Sequence, residues 1–332
     1  MRNEPGQHFL LKSKSKTLKL KDVFKLSDEQ AFDVFKSLRW KSTDGVPVCV
    51  HCGTVDSHWV LATRQFKCKS CKRKFSVTSG TIFQDRKLPL QDYLGAIAII
   101  TNGVKGYSML QLSRDLGVQY KTAFVLSHKI REALMIHKNN FQMTGEIEID
   151  VTYAGGKVKP ANEKKDRVDR RLAENQSGKK RAVVSLSQRG TKGSKRTLTF
   201  VAKSENQRDI NAIVKRYVAK RTIINADESS AYDILHANYK MKRVNHSINY
   251  VDPKTKASVN LTESFFSRFK RAYYGQHHHF SVEYLPFYAN EIAYREDNRR
   301  KDNGFICYDI LGKSLNSPVS SRMCGYWQRG LN

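Results

Sequence analysis

The feature that most narrows what this chain can fold into is a cysteine spacing. Cys49-Val50-His51-Cys52 is followed by Cys68-Lys69-Ser70-Cys71, a C-x2-C-x15-C-x2-C pattern. Two cysteines three positions apart can hold one ion from a tight knuckle, and two knuckles supply the four thiolates of a tetrahedral zinc site. Between them, Trp59-Val60-Leu61 and Arg64-Gln65-Phe66 fit the hairpin of a zinc ribbon. Lys67, Lys69, Lys72, Arg73 and Lys74 flank the second knuckle, where positive charge favours thiolate and offers phosphate contacts. His51 and His58 are rival ligands, but Cys49, Cys52, Cys68 and Cys71 already complete the set. Cys307 and Cys324 have no partner spacing and read as ordinary residues. Paired CxxC units fit a metal in a reducing compartment better than a disulfide framework.

Charge limits the partner. The chain carries 59 Lys+Arg against 31 Asp+Glu, a formal net charge of +28, with a pI near 9.9. Such a surplus calls for a polyanion, and nucleic acid is the leading candidate. A membrane surface is the other basic-protein partner, but no basic amphipathic anchor helix is present. The longest apolar run, Leu94 to Ile100, falls far short of the roughly 18 residues a membrane span needs. The N-terminal residues lack the long apolar block of a signal peptide, so secretion is not expected. A length of 332 residues predicts two or three domains.

Along the chain, residues 1–26 read as a flexible basic arm. Ser27 with Gln30 three residues on predicts a capping box opening a helix, with Phe32, Val34, Phe35, Leu38 and Trp40 as its apolar face. Leu88 to His137 has helical apolar spacing punctuated by Gly103, Gly106 and Gly117. Within it, residues 107–118 followed by Gln119-Tyr120-Lys121-Thr122-Ala123 follow helix-turn-helix grammar. Gln119, Tyr120, Lys121 and Thr122 then occupy the exposed start of a recognition helix. Leu112, Leu116, Val118, Ala123, Val125 and Leu126 pack the motif. The alternative is a small helical linker whose glycines only end helices.

From Gly145 the pattern turns to strand-like alternation, with Lys157 to Arg181 as a charge-dense surface excursion. In Glu146-Ile147-Glu148-Ile149-Asp150 the three carboxylates share one face and the isoleucines point to the core. A second apolar strand, residues 222–226, ends at Asp227. A third carboxylate, Glu263, opens a helix expected from Thr262 to Tyr274. Lys270, seven residues on, lies on the same face about two turns distant. Carboxylates at the ends of two strands are the minimum for a shared divalent-metal site. His246 and the run His277, His278, His279 are poor ligands for Mg2+ or Mn2+, which prefer oxygen; phosphate or backbone contacts suit them better. The Phe265, Phe266, Phe269 stripe reads as core rather than a base-stacking platform. A further helix is expected from Val282 to Arg295.

Taken together, the four-cysteine ribbon, IDVTYAGGK, NADES, VNHS, NLTESFFSRFKR, GQHHHFS and YREDNRR resemble the zinc-ribbon insertion-sequence transposases with a DDE-type, ribonuclease H-like catalytic domain, the ISXO-like class. The resemblance runs from about Ser27 to Arg300. It implies Asp150, Asp227 and Glu263 as ligands of two Mg2+ or Mn2+ ions, with Lys270 nearby on the DNA and Arg268 and Arg271 along its track. Some relatives place Asn as third ligand, and Asn260 is one turn before Glu263; a carboxylate neutralises metal charge better than an amide, which favours Glu263. YREDNRR is spaced more loosely than the usual Arg-x-Asn-Arg ending.

The fold expected is therefore α+β: an N-terminal zinc ribbon and helix-turn-helix, then a ribonuclease H-like mixed β-sheet of five strands flanked by helices. The boundaries expected are 1–44 for arm and helix, 45–80 for the ribbon, 81–140 for the helix-turn-helix region, 141–305 for the catalytic domain and 306–332 for a tail. The function implied is a DNA transposase that binds the terminal inverted repeats of its element and catalyses metal-dependent cleavage and strand transfer. It would act as a homo-oligomer on terminal and target DNA, in the cytoplasm at a bacterial nucleoid. Two alternatives share parts of this pattern. A metal-dependent nuclease would keep the acidic site without joining strands, and a domesticated zinc-ribbon regulator would not need the acidic trio.

Overall fold

A computed structural model describes residues 9–138, 141–156, 161–168, 178–191, 193–245, 248 and 250–325. His246 and much of the basic excursion after Lys157 lie outside the described residues. The chain divides into two compact units, residues 1–138 with 300–332, and residues 139–299.

The first unit begins with short turns and α1 (Leu20–Val23), then α2 (Asp28–Arg39). The expected capping box is present. Ser27 Oγ accepts from the Gln30 amide at 3.2 Å, and Gln30 Oε1 accepts from the Ser27 amide at 2.8 Å. The expectation of a flexible arm fails from Ser15 onward, where Ser15 and Val23 are buried. The Leu18 amide donates to Asn303 Oδ1 at 2.9 Å and its carbonyl accepts from Asn303 Nδ2 at 2.8 Å. Lysine content gives no hint of this, because the anchors are backbone groups.

The ribbon follows as three short antiparallel strands: β1 (Ser57–Val60), β2 (Gln65–Cys68) and β3 (Lys74–Phe75). Its core is aromatic and shared with α2. Phe66 of β2 lies edge-on to Trp40 at 5.5 Å, tilted against Phe75 at 5.5 Å and stacked near Phe32 at 6.0 Å. Next, α3 (Leu90–Asn102) is buried on nearly every side. Gly95 sits at its closest approach to Phe24, where an added Cβ would come within 2.6 Å of the ring. The predicted helix-turn-helix is α4 (Met109–Asp115), a turn through Gly117 at φ +63°, and α5 (Tyr120–Ile136). That left-handed conformation is one glycine adopts without a Cβ penalty.

The second unit is built on a five-stranded mixed sheet: β4 (Glu146–Ala154), β5 (Arg181–Gly190), β6 (Gly193–Ala202), β7 (Ile223–Ala226) and β8 (Lys240–Arg243). The spatial order is β6-β5-β4-β7-β8, antiparallel from β6 to β4 and parallel from β4 to β8. This is the ribonuclease H-like arrangement that was expected. Alternation assigns the faces. Ile147, Ile149, Val184, Leu186, Leu198 and Ile224 join Ile210 and Val214 of α6 (Gln207–Tyr217) in one apolar core. On the opposite face, Ser185, Ser187, Thr197 and Thr199 are buried but small, which lets α7 (Asn260–Ala272) and α8 (Leu285–Asn298) approach closely. Both helices start within a few residues of expectation. A π-helical turn, Tyr273–His277, extends α7 beyond Ala272.

After the second unit the chain returns to the first as α9 (Asn303–Leu315), packed against α2, α3 and α5. The expectation of a mere tail from residue 306 is therefore corrected: Cys307, Ile310, Leu311 and Leu315 are buried in the first unit.

Candidate active site

The register of the sheet sets the first two carboxylates side by side. Parallel pairing of β4 with β7 matches Glu146 to Ile223, Ile147 to Ile224 and Glu148 to Asn225. Continued by two residues, it matches Asp150 to Asp227, which stands one residue beyond the end of β7. Paired residues of neighbouring strands point to the same face about 4.8 Å apart. Asp227 is fixed by an Asx turn, its Oδ1 accepting from the Ser229 amide at 2.9 Å. Arg243 at the end of β8 holds the same loop, donating to the Asp227 carbonyl at 2.6 Å and the Ser229 carbonyl at 2.7 Å.

Glu263 comes from the first turn of α7 and faces the same charge cluster. Burial pushes the Asp150 carboxyl up to about 7; the Val151 amide opposes this, and the charges of Asp227, Glu263 and Glu205 add to it. Asn260, at the start of α7, is exposed.

Glu205 is a fourth carboxylate that sequence reasoning missed. It precedes α6 in the chain and accepts from Ser229 Oγ at 2.8 Å, while its amide donates to Tyr153 Oη at 3.3 Å. The available signal was an acidic residue just before the Asn206 N-cap, and nothing local connects that position to Asp150. Beside these groups, burial first and then the Glu205, Asp150 and Asp227 charges drive the Tyr232 phenol upward, so it stays neutral.

An all-oxygen donor set suits Mg2+ or Mn2+. Crowding of like charges around Asp150 is strain that a bound cation relieves. Among the described residues, no three carboxylates bring their oxygens within 4.8 Å of one another.

The neighbouring predicted residues divide. Lys270 and Arg271 are exposed on α7. Arg268, expected on a DNA track, is instead turned to the protein: its Nη1 lies 2.8 Å from Glu296 and donates to Ser264 O and Oγ at 3.0 and 2.9 Å. Partners for it were hidden in YREDNRR, a motif that works structurally here. Arg295 pairs with Glu291 at 2.9 Å, Arg299 with Glu296 at 3.2 Å, and Asp297 accepts from the Thr197 amide of β6 at 3.1 Å. Phe265, Phe266 and Phe269 are core, as expected. His277 packs its ring on Phe280 and Tyr288, whereas His278 and His279 are exposed.

In the first unit, the four cysteine sulfurs lie within 4.8 Å of one another. Cys49 and Cys71 are 3.6 Å apart, as are Cys52 and Cys68. Tetrahedral bonds of about 2.3 Å require sulfur separations near 3.8 Å, so the set fits one zinc ion. Burial opposes ionisation of Cys68, but hydrogen bonds from the Cys71 and Ser70 amides and from the Cys52 and Cys71 thiols together hold the thiol down to about 6. On the helix-turn-helix, Gln119, Tyr120 and Lys121 are exposed and Thr122 is partly so, while Leu112, Ala123 and Leu126 are buried.

Comparison with known proteins gives two family matches, an ISXO2-like transposase domain over residues 142–297 and a transposase zinc-ribbon domain over residues 26–74. Among curated proteins, the chain is similar to an uncharacterized protein in transposable element ISH50 of Halobacterium salinarum. It is 24% identical over 297 residues, covering 87% of this chain and 98% of that one. Among solved structures, the Mos1 strand transfer complex matches at 13% identity and a TM-score of 0.29, covering 67% of this chain and 74% of that one. The Mos1 mariner paired end complex with Mn matches at 13% identity and 0.28, covering 67% and 75%.

Proposed function

Since the chain belongs to the zinc-ribbon transposases with an ISXO2-like catalytic domain, and is a DNA transposase, we propose that Asp150, Asp227 and Glu263 form its catalytic metal site. The observation that carries this is the meeting of three charges from β4, the β7 end and α7, with Asp150 pushed up to about 7 by burial and by its acidic neighbours.

Divalent cations held there would supply Lewis acidity to an attacking water or 3′-hydroxyl and to the leaving oxygen. Asp150 and Asp227, adjacent on one sheet face, would hold the cations from the sheet. Glu263 closes the site from α7, and Glu205, bonded to Ser229 Oγ, adds negative charge beside it. Lys270, two turns along α7, positions the scissile strand as a point charge on phosphate. Arg271 extends that contact. The Ser229 and Arg243 bonds fix the Asp227 loop, so the carboxylate need not reorganise during reaction. Gln119, Tyr120, Lys121 and Thr122 read the terminal inverted repeats, and a zinc ion on Cys49, Cys52, Cys68 and Cys71 holds the ribbon. Several copies of the chain assemble on the paired ends.

The test is cleavage and strand transfer on DNA carrying the element's ends. Asp150→Asn and Asp227→Asn are expected to abolish both reactions while leaving end binding within about twofold. Glu263→Gln should do the same, Asn260→Ala should be milder, and Lys270→Ala should slow the rate without changing the metal requirement. Full activity of either aspartate variant would remove the acidic cluster as the active site. An inverted ranking at α7 would move the third ligand to Asn260. Cleavage without joining would identify a nuclease instead.

A further inference from the structure

Glu148 lies two residues before Asp150 on the same face of β4, yet it is only 1% exposed and cannot take part in the site as a ligand. Both its oxygens are already engaged. Oε1 accepts from Arg189 Nε at 2.9 Å. Oε2 accepts from the Leu261 amide at 2.7 Å and, more weakly, the Thr262 amide at 3.4 Å. Those amides belong to the first turn of α7, which has no side-chain cap of its own: the N-cap residue, Val259, offers no acceptor. A helix start leaves its first amides without intrahelical partners. A carboxylate from the neighbouring sheet satisfies them here.

Arg189 completes the link. It stands at the β-bulge where the β5–β6 register shifts after Gln188, and bulges re-aim side chains. From there its guanidinium reaches Glu146 at 2.9 Å, Glu148 at 2.9 Å, and both the carbonyl and hydroxyl of Ser258, at 3.1 and 2.7 Å, just ahead of α7. Glu146 is braced in turn by Lys242 at 3.0 Å and Asn225 at 3.0 Å. Glu263 follows the capped amides by one or two residues. Its place depends on where the first turn of α7 is pinned, and this clamp is a polar tether that reaches that turn from the sheet.

We propose that the Glu148–Arg189 pair is a positioning device for the active site, tying the start of α7 to β4 so that Glu263 is held at the distance from Asp150 that metal binding requires. This rests on Glu263 being a metal ligand. Groups that hold metal ligands in place typically alter metal affinity or activity about 10–100-fold when removed.

Mn2+ is the probe, titrated into the full-length protein and counted by electron paramagnetic resonance, with thermal unfolding and zinc content recorded on the same samples. Glu148→Gln and Arg189→Gln are each expected to weaken Mn2+ binding about tenfold, and the double variant no further, because both act through one link. Ser258→Ala, which removes a single hydroxyl acceptor, should weaken it about twofold; it keeps the test open if the other variants fold poorly. Arg189→Lys should recover part of the loss. A purely structural role would lower the unfolding temperature while the folded fraction bound Mn2+ with unchanged affinity, and that result overturns the proposal. Glu263→Gln serves as the reference. Unchanged Mn2+ binding in that variant overturns the assignment of the third ligand and this proposal with it. A loss in Glu263→Gln with none in Glu148→Gln overturns the proposal alone.

Discussion

At the scale of single residues, the most informative acid outside the acidic cluster around Asp150 is Asp297. Burial pushes its carboxyl up to about 7; the Thr197 backbone and side chain oppose this, Glu296 adds to it, and Arg196 opposes it. In the unfolded chain an aspartate titrates near 3.9. Between these values the folded protein holds a proton that the unfolded chain has released, so stability falls as pH rises from about 4 to about 7, and then levels off. Asn at this position keeps a carbonyl oxygen for the Thr197 amide and removes the ionisation. Asp297→Asn is therefore expected to flatten the pH dependence over that window and raise stability at pH 8, by up to a few kcal/mol; thermal melts of both proteins from pH 4 to 8 measure it. Residue identity alone does not forecast this. Asp297 sits in the charged motif YREDNRR, and the packing of α8 on β6, which removes it from water, is not written in that motif. Arg268 escapes sequence reading for the same reason, since its partner Glu296 lies far along the chain.

Elements are more legible than their partners. The four-cysteine spacing, the Ser27 capping box and the alternation of residues 146–150 each encode a local geometry, and each element forms where its pattern lies. The clamp on α7 is not legible, because it needs a bulge in β5 and a helix start from elsewhere in the chain. Two element-level outcomes follow. The ribbon shares Phe66, Trp40 and Phe75 with α2, so Cys68→Ser should loosen α2 along with the knuckles. Zinc analysis should then show loss of about one ion per chain, with end binding weakened and the second unit still folded by its own thermal transition. In the helix-turn-helix, Gln119→Ala or Lys121→Ala should reduce discrimination between terminal and unrelated DNA, each by about 1–3 kcal/mol, whereas Arg271→Ala should weaken all DNAs alike. Unchanged discrimination in binding competition would reduce the motif to a helical linker.

For the whole molecule, a net charge of +28 makes phosphate contact the main source of DNA affinity. Log affinity should fall linearly with log salt. Neutralising about 6–10 phosphates corresponds to a loss of about 10³–10⁵ between 50 and 200 mM salt; titrations of end binding at several salt concentrations measure the slope, and a shallow one would mean that most of the lysines face no DNA. Composition alone carries that expectation, since it needs only a count of charges. It says nothing of chain order, where α9 closes the first unit from beyond the second. That order has a consequence for synthesis. On the ribosome, residues 1–138 emerge without the helix that packs against α2, α3 and α5, and wait while roughly 160 intervening residues are made, about 10–30 s at ordinary rates of synthesis. The inserted catalytic unit can mature first. The unit bearing the ribbon and helix-turn-helix is completed only once α9 has been made, so the second unit can fold on the nascent chain while the first still lacks one of its core helices.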